Sequence, residues 1–191
     1  MKSDVAKSAT WRYCFPDMDT QTKTKKPIIA LKAIKHSEFA SEETHCYQAM
    51  IYVDGKRFAQ VKNDGHGGGD MVRPIKGPYS QVLELEELIK ETYETEPCRY
   101  FADGFQPTLE SICCGLVNMH LREKDLKRRL RAKCLTVELD SDGNRAVFAY
   151  KAPPTEENIQ AIGLRPGVLQ VLNRLPLRSA LALCKEVEGE S

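Results

Sequence analysis

The sequence predicts an α+β protein with a mostly antiparallel sheet, on three observations. Strand-like runs fill residues 27–63 before any helical period begins, two helix-period segments follow, and a second alternating hairpin then opens a short helix, strand and helix. The expected architecture is an N-terminal three-strand meander, two central helices, a second hairpin and short C-terminal helices. Residues 1–26 form a polar and aromatic tail in this reading, 27–187 a single α+β domain, and 188–191 a second tail.

The tail ends in "TQTKTKKP", with Trp11, Tyr13 and Phe15 as its apolar content. From Pro27, "PIIALKAIKH" alternates Ile29, Leu31 and Ala33 with Lys32 and Lys35 and predicts a strand. A polar loop, "SEFASEET", leads to a second strand, "HCYQAMIYV". Asp54-Gly55 is a strong two-residue hairpin signal because both turn positions need positive φ, so "KRFAQVKN" returns antiparallel.

"NDGHGGGDMV", residues 63–72, ends that strand in a glycine loop. Beyond it Val82, Leu85, Leu88, Ile89 and Tyr93 recur at helical spacing, with Ser80 the expected N-cap. A connector, "CRYFADGFQP", precedes a longer helix with Thr108 as its cap and Leu109, Ile112, Leu116, Met119, Leu126 and Leu130 on its apolar side. "CLTVELDSDGNRAVFAYKAP" alternates on both sides of an "SDGN" turn and predicts the second hairpin. "TEENIQAIG", "GVLQVL" and "PLRSALALCKEV" read as helix, strand and helix, the last opened by proline.

Composition narrows the function classes. Lys and Arg number 28 against 27 acidic residues, so overall charge draws the chain neither to nucleic acid nor to a membrane, and only local patches can. No apolar run reaches the ~18 residues of a membrane span and the first residues lack the apolar stretch of a secretory signal, so a cytoplasmic protein without membrane contact is expected. The seven cysteines are odd in number and show no CxxC pair; they read as reduced, mostly buried side chains, and no cofactor or metal is expected.

Two constellations are candidates for binding or chemistry. Pairing outward from Asp54-Gly55 puts His45 opposite Asp64, and a hairpin closing over residues 37–44 puts His36 opposite His45. His36, His45, Asp64 and His66 would then share one end of the sheet, beside Glu42, Glu43 and Asp70. Imidazole titrates near neutral pH and a carboxylate fixes its tautomer, so such a group suits a divalent metal or a general base. The plain alternative is a strand ended by turn chemistry. Pro74 and Pro78 separate the glycines from the next helix, which argues against a phosphate loop of P-loop or dinucleotide type.

The second constellation is "LREKDLKRRLRAK", seven basic and two acidic residues on the C-terminal half of the long helix. Arg122, Lys124, Lys127, Arg128, Arg129 and Arg131 suit phosphates or an acidic partner, and equally a solvated helix end favoured by its dipole. No aromatic residue interleaves the run, so base stacking is not supported there. The acidic stretch 84–96 would neutralise it if the two helices packed face to face. GxSxG and HExxH are absent, and His45 and Cys46, being adjacent on a strand, point to opposite faces.

The succession "IKHSEFASEETHCYQAMIYVDGKRFAQVKNDGHGGGD", with "LREKDLKRRLRAK" and the late "LNRLPLRSALAL", resembles a group of small accessory proteins carried by bacteriophages, prophages and other mobile elements. The resemblance covers about residues 28 to 184 and brings no catalytic residues with it. It implies expression in a bacterial host cytoplasm and action by binding and blocking a host machine, such as a defence system; the expected partner is a host protein or protein–nucleic-acid complex, and the basic helix adds a weak nucleic-acid contact to the expectations. A non-enzymatic binding protein is therefore the leading expectation. A nucleic-acid binder using the basic helix and an acid–base or metal-dependent enzyme using the histidines are the alternatives.

Overall fold

The computed structural model describes residues 25–98 and 101–189, so the expected N-terminal tail falls almost wholly outside the described residues. The fold is α+β. Strands β1 (Ile29–Ser37), β2 (Cys46–Val53), β3 (Lys56–Asn63) and β4 (Met71–Pro74) form one antiparallel sheet in that order. Helix α1 (Ser80–Thr92) and a short hairpin of β5 (Glu96–Cys98) and β6 (Phe101–Phe105) precede the long helix α2 (Leu109–Ala132). Strands β7 (Cys134–Leu139), β8 (Arg145–Tyr150) and β9 (Val168–Val171) make a second antiparallel sheet, ordered β8-β7-β9, with α3 (Glu156–Gly163) between β8 and β9 and α4 (Leu177–Val187) at the end. The two hairpins thus belong to separate sheets.

The expected meander of three strands gains a fourth. Met71–Pro74 follows the glycines and ends in proline, which hid it from a pattern search; as an edge strand it tolerates proline, having no neighbour on one side to receive an N–H. The β5–β6 hairpin was likewise expected only as a connector. Ser80 is the first helical residue and not the cap: Tyr79 occupies the cap position without a side-chain bond. At α2 the expected cap holds, since Thr108 Oγ1 accepts from the Ser111 N–H at 3.1 Å and Ser111 Oγ accepts from the Thr108 N–H at 2.9 Å.

Two irregularities decide which side chains face which way. Between Lys32 and Lys35 two residues of β1, Ala33 and Ile34, oppose the single residue Ala49, and Ala33 takes φ 53°. In β3, Phe58 is the extra residue: Tyr52 pairs with Arg57 but Ile51 pairs with Ala59. One face of the four-stranded sheet then carries Tyr47, Ala49, Ile51, Ala59 and Val61 into a core shared with Val82, Leu85 and Ile89 of α1 and Leu109, Cys113 and Val117 of α2.

Helix α2 is about 36 Å long at 1.5 Å per residue, and its C-terminal half enters a second core. There Leu126 packs with Leu135, Val137, Leu172, Ala180 and Cys184. A third, smaller cluster gathers Cys134, Ile159, Ile162 and Val171. Between its two buried ends, the middle of α2 is largely left to the surface. No helix among the described residues is long and apolar enough to cross a membrane.

Candidate functional site

Loop 38–44, within the connection from β1 to β2, lies against the glycine loop 64–70 and is fastened to it by main-chain bonds. The N–H groups of Glu42, Glu43 and Thr44 all donate to the Gly65 carbonyl oxygen, at 3.0, 2.9 and 3.2 Å. Gly65 sits at φ +90°, and a Cβ there would collide with the Ala40 carbonyl oxygen, so only glycine fits. Ser41 staples the other end of the loop, donating to the Ser37 carbonyl at 2.7 Å and accepting from the Cys46 N–H at 2.9 Å.

Beneath the glycines lies a buried polar network. Asn63 Oδ1 accepts from Thr44 Oγ1 and from the Gly65 N–H, both at 2.9 Å, and its Nδ2 donates to the Gly68 carbonyl at 2.9 Å and to Asp70 Oδ1 at 3.0 Å. The Tyr47 hydroxyl donates to the other Asp70 oxygen. Desolvation raises the Asp70 pKa, helped by the Glu110 charge and opposed by the bonds from Tyr47 and Asn63. Burial, then the Asp70 bond and charge, push the Tyr47 phenol far above its usual range. Burial pushes the Cys113 thiol, on the facing helix, up to about 12.

An open groove of about 840 Å³ runs between loop 38–44 and the exposed middle of α2. His36, Glu38, Ser41, Glu42, Glu43, Thr44 and His45 line one side, and Cys114, Leu121, Lys124, Asp125 and Arg128 the other. The rings of His36 and His45 meet edge to face with centroids 5.3 Å apart. His45 Nε2 donates to Asn118 Oδ1 of α2 at 2.6 Å. The Ser41 proton being given to Ser37, His36 Nε2 donates to Ser41 Oγ at 3.3 Å. Burial first, then the neighbouring His45, hold the His36 pKa below its usual value; Lys124 and His120 add to this and Glu38 opposes it.

The expected cluster forms only in part. The Phe58 bulge shifts the register by one, so that Tyr47 pairs with Asn63, and Asn63 rather than Asp64 turns inward; Asp64 is exposed. The β1–β2 hairpin closes with Ser37 opposite Cys46, and with the one-residue shift at the Ala33 bulge His36 pairs with Tyr47 instead of His45, so the two histidines meet diagonally. His66 stays on the rim, where its Nδ1 donates to Glu42 Oε2 at 3.1 Å with both side chains more than half exposed. The third histidine close enough to act on His36 is His120 of α2, not His66. Among the described residues no three His, Cys, Asp or Glu side chains are arranged to hold a metal.

The basic helix is divided among several faces. Lys124 and Arg128 line the groove, Arg128 paired with Asp125 one turn away. Arg122 and Arg129 border a smaller cleft of about 370 Å³ between α2 and α4, while Lys127 and Arg131 are exposed elsewhere. Glu86 of the acidic α1 accepts from the Leu109 N–H at 3.3 Å, so part of that helix's charge caps α2 instead of meeting its basic half.

Sequence reading overlooked three groups here. Phe39, at the tip of loop 38–44, is 100% exposed; a lone aromatic in a polar loop was the available signal. Asn118 and His120 lie on α2 within one turn of Leu121, and no local signal ties them to the histidines of the sheet. Searches against family models, curated proteins and solved structures find no match to this chain.

Proposed function

We propose that the protein acts by binding a protein partner through loop 38–44 and the groove it forms with α2. The observation that carries this reading is Phe39. A phenylalanine with its whole side chain in water is unusual, and here it stands on a loop held by Ser41, by three amides on one carbonyl and by Asn63. On a loop already held in place, an aromatic costs little backbone freedom on docking, and it is the residue type that anchors interfaces. Beside its loop the groove sets Glu38, Glu42 and Glu43 opposite Lys124 and Arg128, charges that suit the polar rim of a protein interface.

The histidine pair fits the same role. The Ser41 hydroxyl is committed to Ser37 and Cys46, and the bonds at the rings go to Ser41 and Asn118, so the imidazoles brace loop and helix against each other. The resemblance to mobile-element accessory proteins supports a bacterial host complex as the partner, with a defence system the first to test. The experiment is retention of host proteins on the tagged full chain and on its Phe39→Ala variant. A stoichiometric protein held by the parent and released by Phe39→Ala is expected. A partner retained equally by both, or none retained by the parent, refutes the reading.

A further inference from the structure

The groove uses only one face of the four-stranded sheet. The opposite face carries its side chains in three rows set by the register. Lys32, Met50, Gln60 and Arg73 pair in sequence across all four strands. Lys35, Gln48, Lys62 and Met71 form the next row, and Ala30, Tyr52 and Arg57 a third. Five cations therefore share this face, all of them exposed, and the register puts no Asp or Glu among them. The whole chain has a formal charge of only +1, so the face is a product of sorting and not of average composition.

We propose that this face binds single-stranded nucleic acid. Among the described residues none of the five cations is in an ion pair. Two of them rest on apolar neighbours: Lys32 Nζ lies 4.3 Å from the centre of the Tyr52 ring, and Arg57 Nη2 lies 3.8 Å from Met50 Sδ. A phosphate chain crossing the strands would give these cations their first anionic partners. Three inter-strand steps of about 4.8 Å separate Lys32 from Arg73, about 14 Å in all, enough to track a backbone rather than hold one anion.

Tyr52 and Met50 lie between the charges and Met71 beside Lys62 at the sheet edge; the Tyr52 ring is a platform on which a base can stack, and the thioethers add apolar contact. A duplex keeps its bases stacked inside, out of reach of Tyr52, so single strands are favoured over duplex. An acidic protein would satisfy the charges but would not call for Tyr52.

The test is fluorescence anisotropy of the full chain with labelled oligo(dT) and oligo(U) of about 15 nucleotides, within the usual range of site sizes, across a salt series. Binding should weaken with salt at a slope in log–log terms no steeper than about −3.5, about −0.7 for each of five neutralised phosphates. Lys62→Glu with Arg73→Glu should lower affinity at least about tenfold and flatten the slope by about 1.4, and Lys62→Gln with Arg73→Gln should flatten it equally without reversing charge. Tyr52→Leu should weaken binding about tenfold at constant slope. The proposal is overturned by absence of binding at low salt, by equal affinity for a duplex or for poly-glutamate, or by loss on Lys127→Glu with Arg131→Glu while the sheet variants bind normally. Circular dichroism of each variant separates loss of binding from loss of fold.

Discussion

Replacing Asn63 by alanine tests whether the polar network orders the glycine loop. Asn63 is 4% exposed and all four of its amide bonding positions are used, by Thr44, Gly65, Gly68 and Asp70. A neutral bond contributes about 0.5–1.5 kcal/mol net and one to a charged group about 1.5–3. The Gly68 carbonyl and the Thr44 hydroxyl lie near enough to solvent to regain water, so the full sum is not lost. The Gly65 N–H is buried and Asp70 keeps only Tyr47 as a side-chain donor. Asn63→Ala should therefore cost about 3 kcal/mol, read as a lower urea midpoint at unchanged slope and a melting temperature lower by about 6–12 °C. Asn63→Asp sharpens the test. It sets a second carboxylate beside Asp70, so the folded state holds a proton that the unfolded chain releases, and the deficit at neutral pH should shrink as pH falls towards about 4. A loss below about 1 kcal/mol for Asn63→Ala, or a pH-independent deficit for Asn63→Asp, would refute this account of the loop.

Two further outcomes follow. Ala33 holds φ 53°, a conformation that strains any residue with a Cβ, so Ala33→Gly should stabilise the chain by about 0.5–1 kcal/mol in urea unfolding, and a destabilised variant would show that the bulge is not kept in solution. His36 titrates below its unfolded value of 6.5, so in that window the unfolded chain binds a proton the folded chain does not, and stability falls as pH drops through it. His36→Gln removes that contribution: from about pH 7.5 to about pH 5.5 the parent should lose more melting temperature than the variant, and equal losses would show that His36 is not desolvated in the folded chain.

Most elements were legible because their signals are local. Thr108 with Ser111, Asp54-Gly55 and the alternation about residues 141–144 each carry their own chemistry within a few residues. β4 was not, since four residues after a glycine run and ending in proline have too little pattern to stand out. The site was legible only in outline. Counting from the Asp54-Gly55 turn placed the glycine loop beside loop 38–44 and failed by one residue at Phe58; the β1–β2 closure was off by two, since Ser37 and not His36 closes that hairpin and the bulge at Ala33 shifts the register beyond it. Neither bulge has a glycine to announce it. Their cause is tertiary: at Phe58 an extra apolar residue packs against the first core, and at Ala33 a left-handed residue lets Ile34 reach the same core. His120 was missed for a related reason, since only the docking of α2 on the sheet brings it to His36.

The bulge at Ala33 links the two surfaces. Under strict alternation, Ile34 and His36 would share a face with Lys32 and point to solvent, while Lys35 would point at the core. One residue in the left-handed region reverses the strand beyond it. Ile34 and His36 join the side covered by α2, and Lys35 joins Lys32 on the open side. The irregularity that completes the histidine pair thus also completes the cationic row from Lys35 to Lys62. Because the two surfaces occupy opposite faces of one sheet, a partner seated on Phe39 and the groove leaves the cations uncovered. A protein complex that itself carries nucleic acid could engage both faces at once, and binding through two sites on one rigid sheet would be tighter than through either alone.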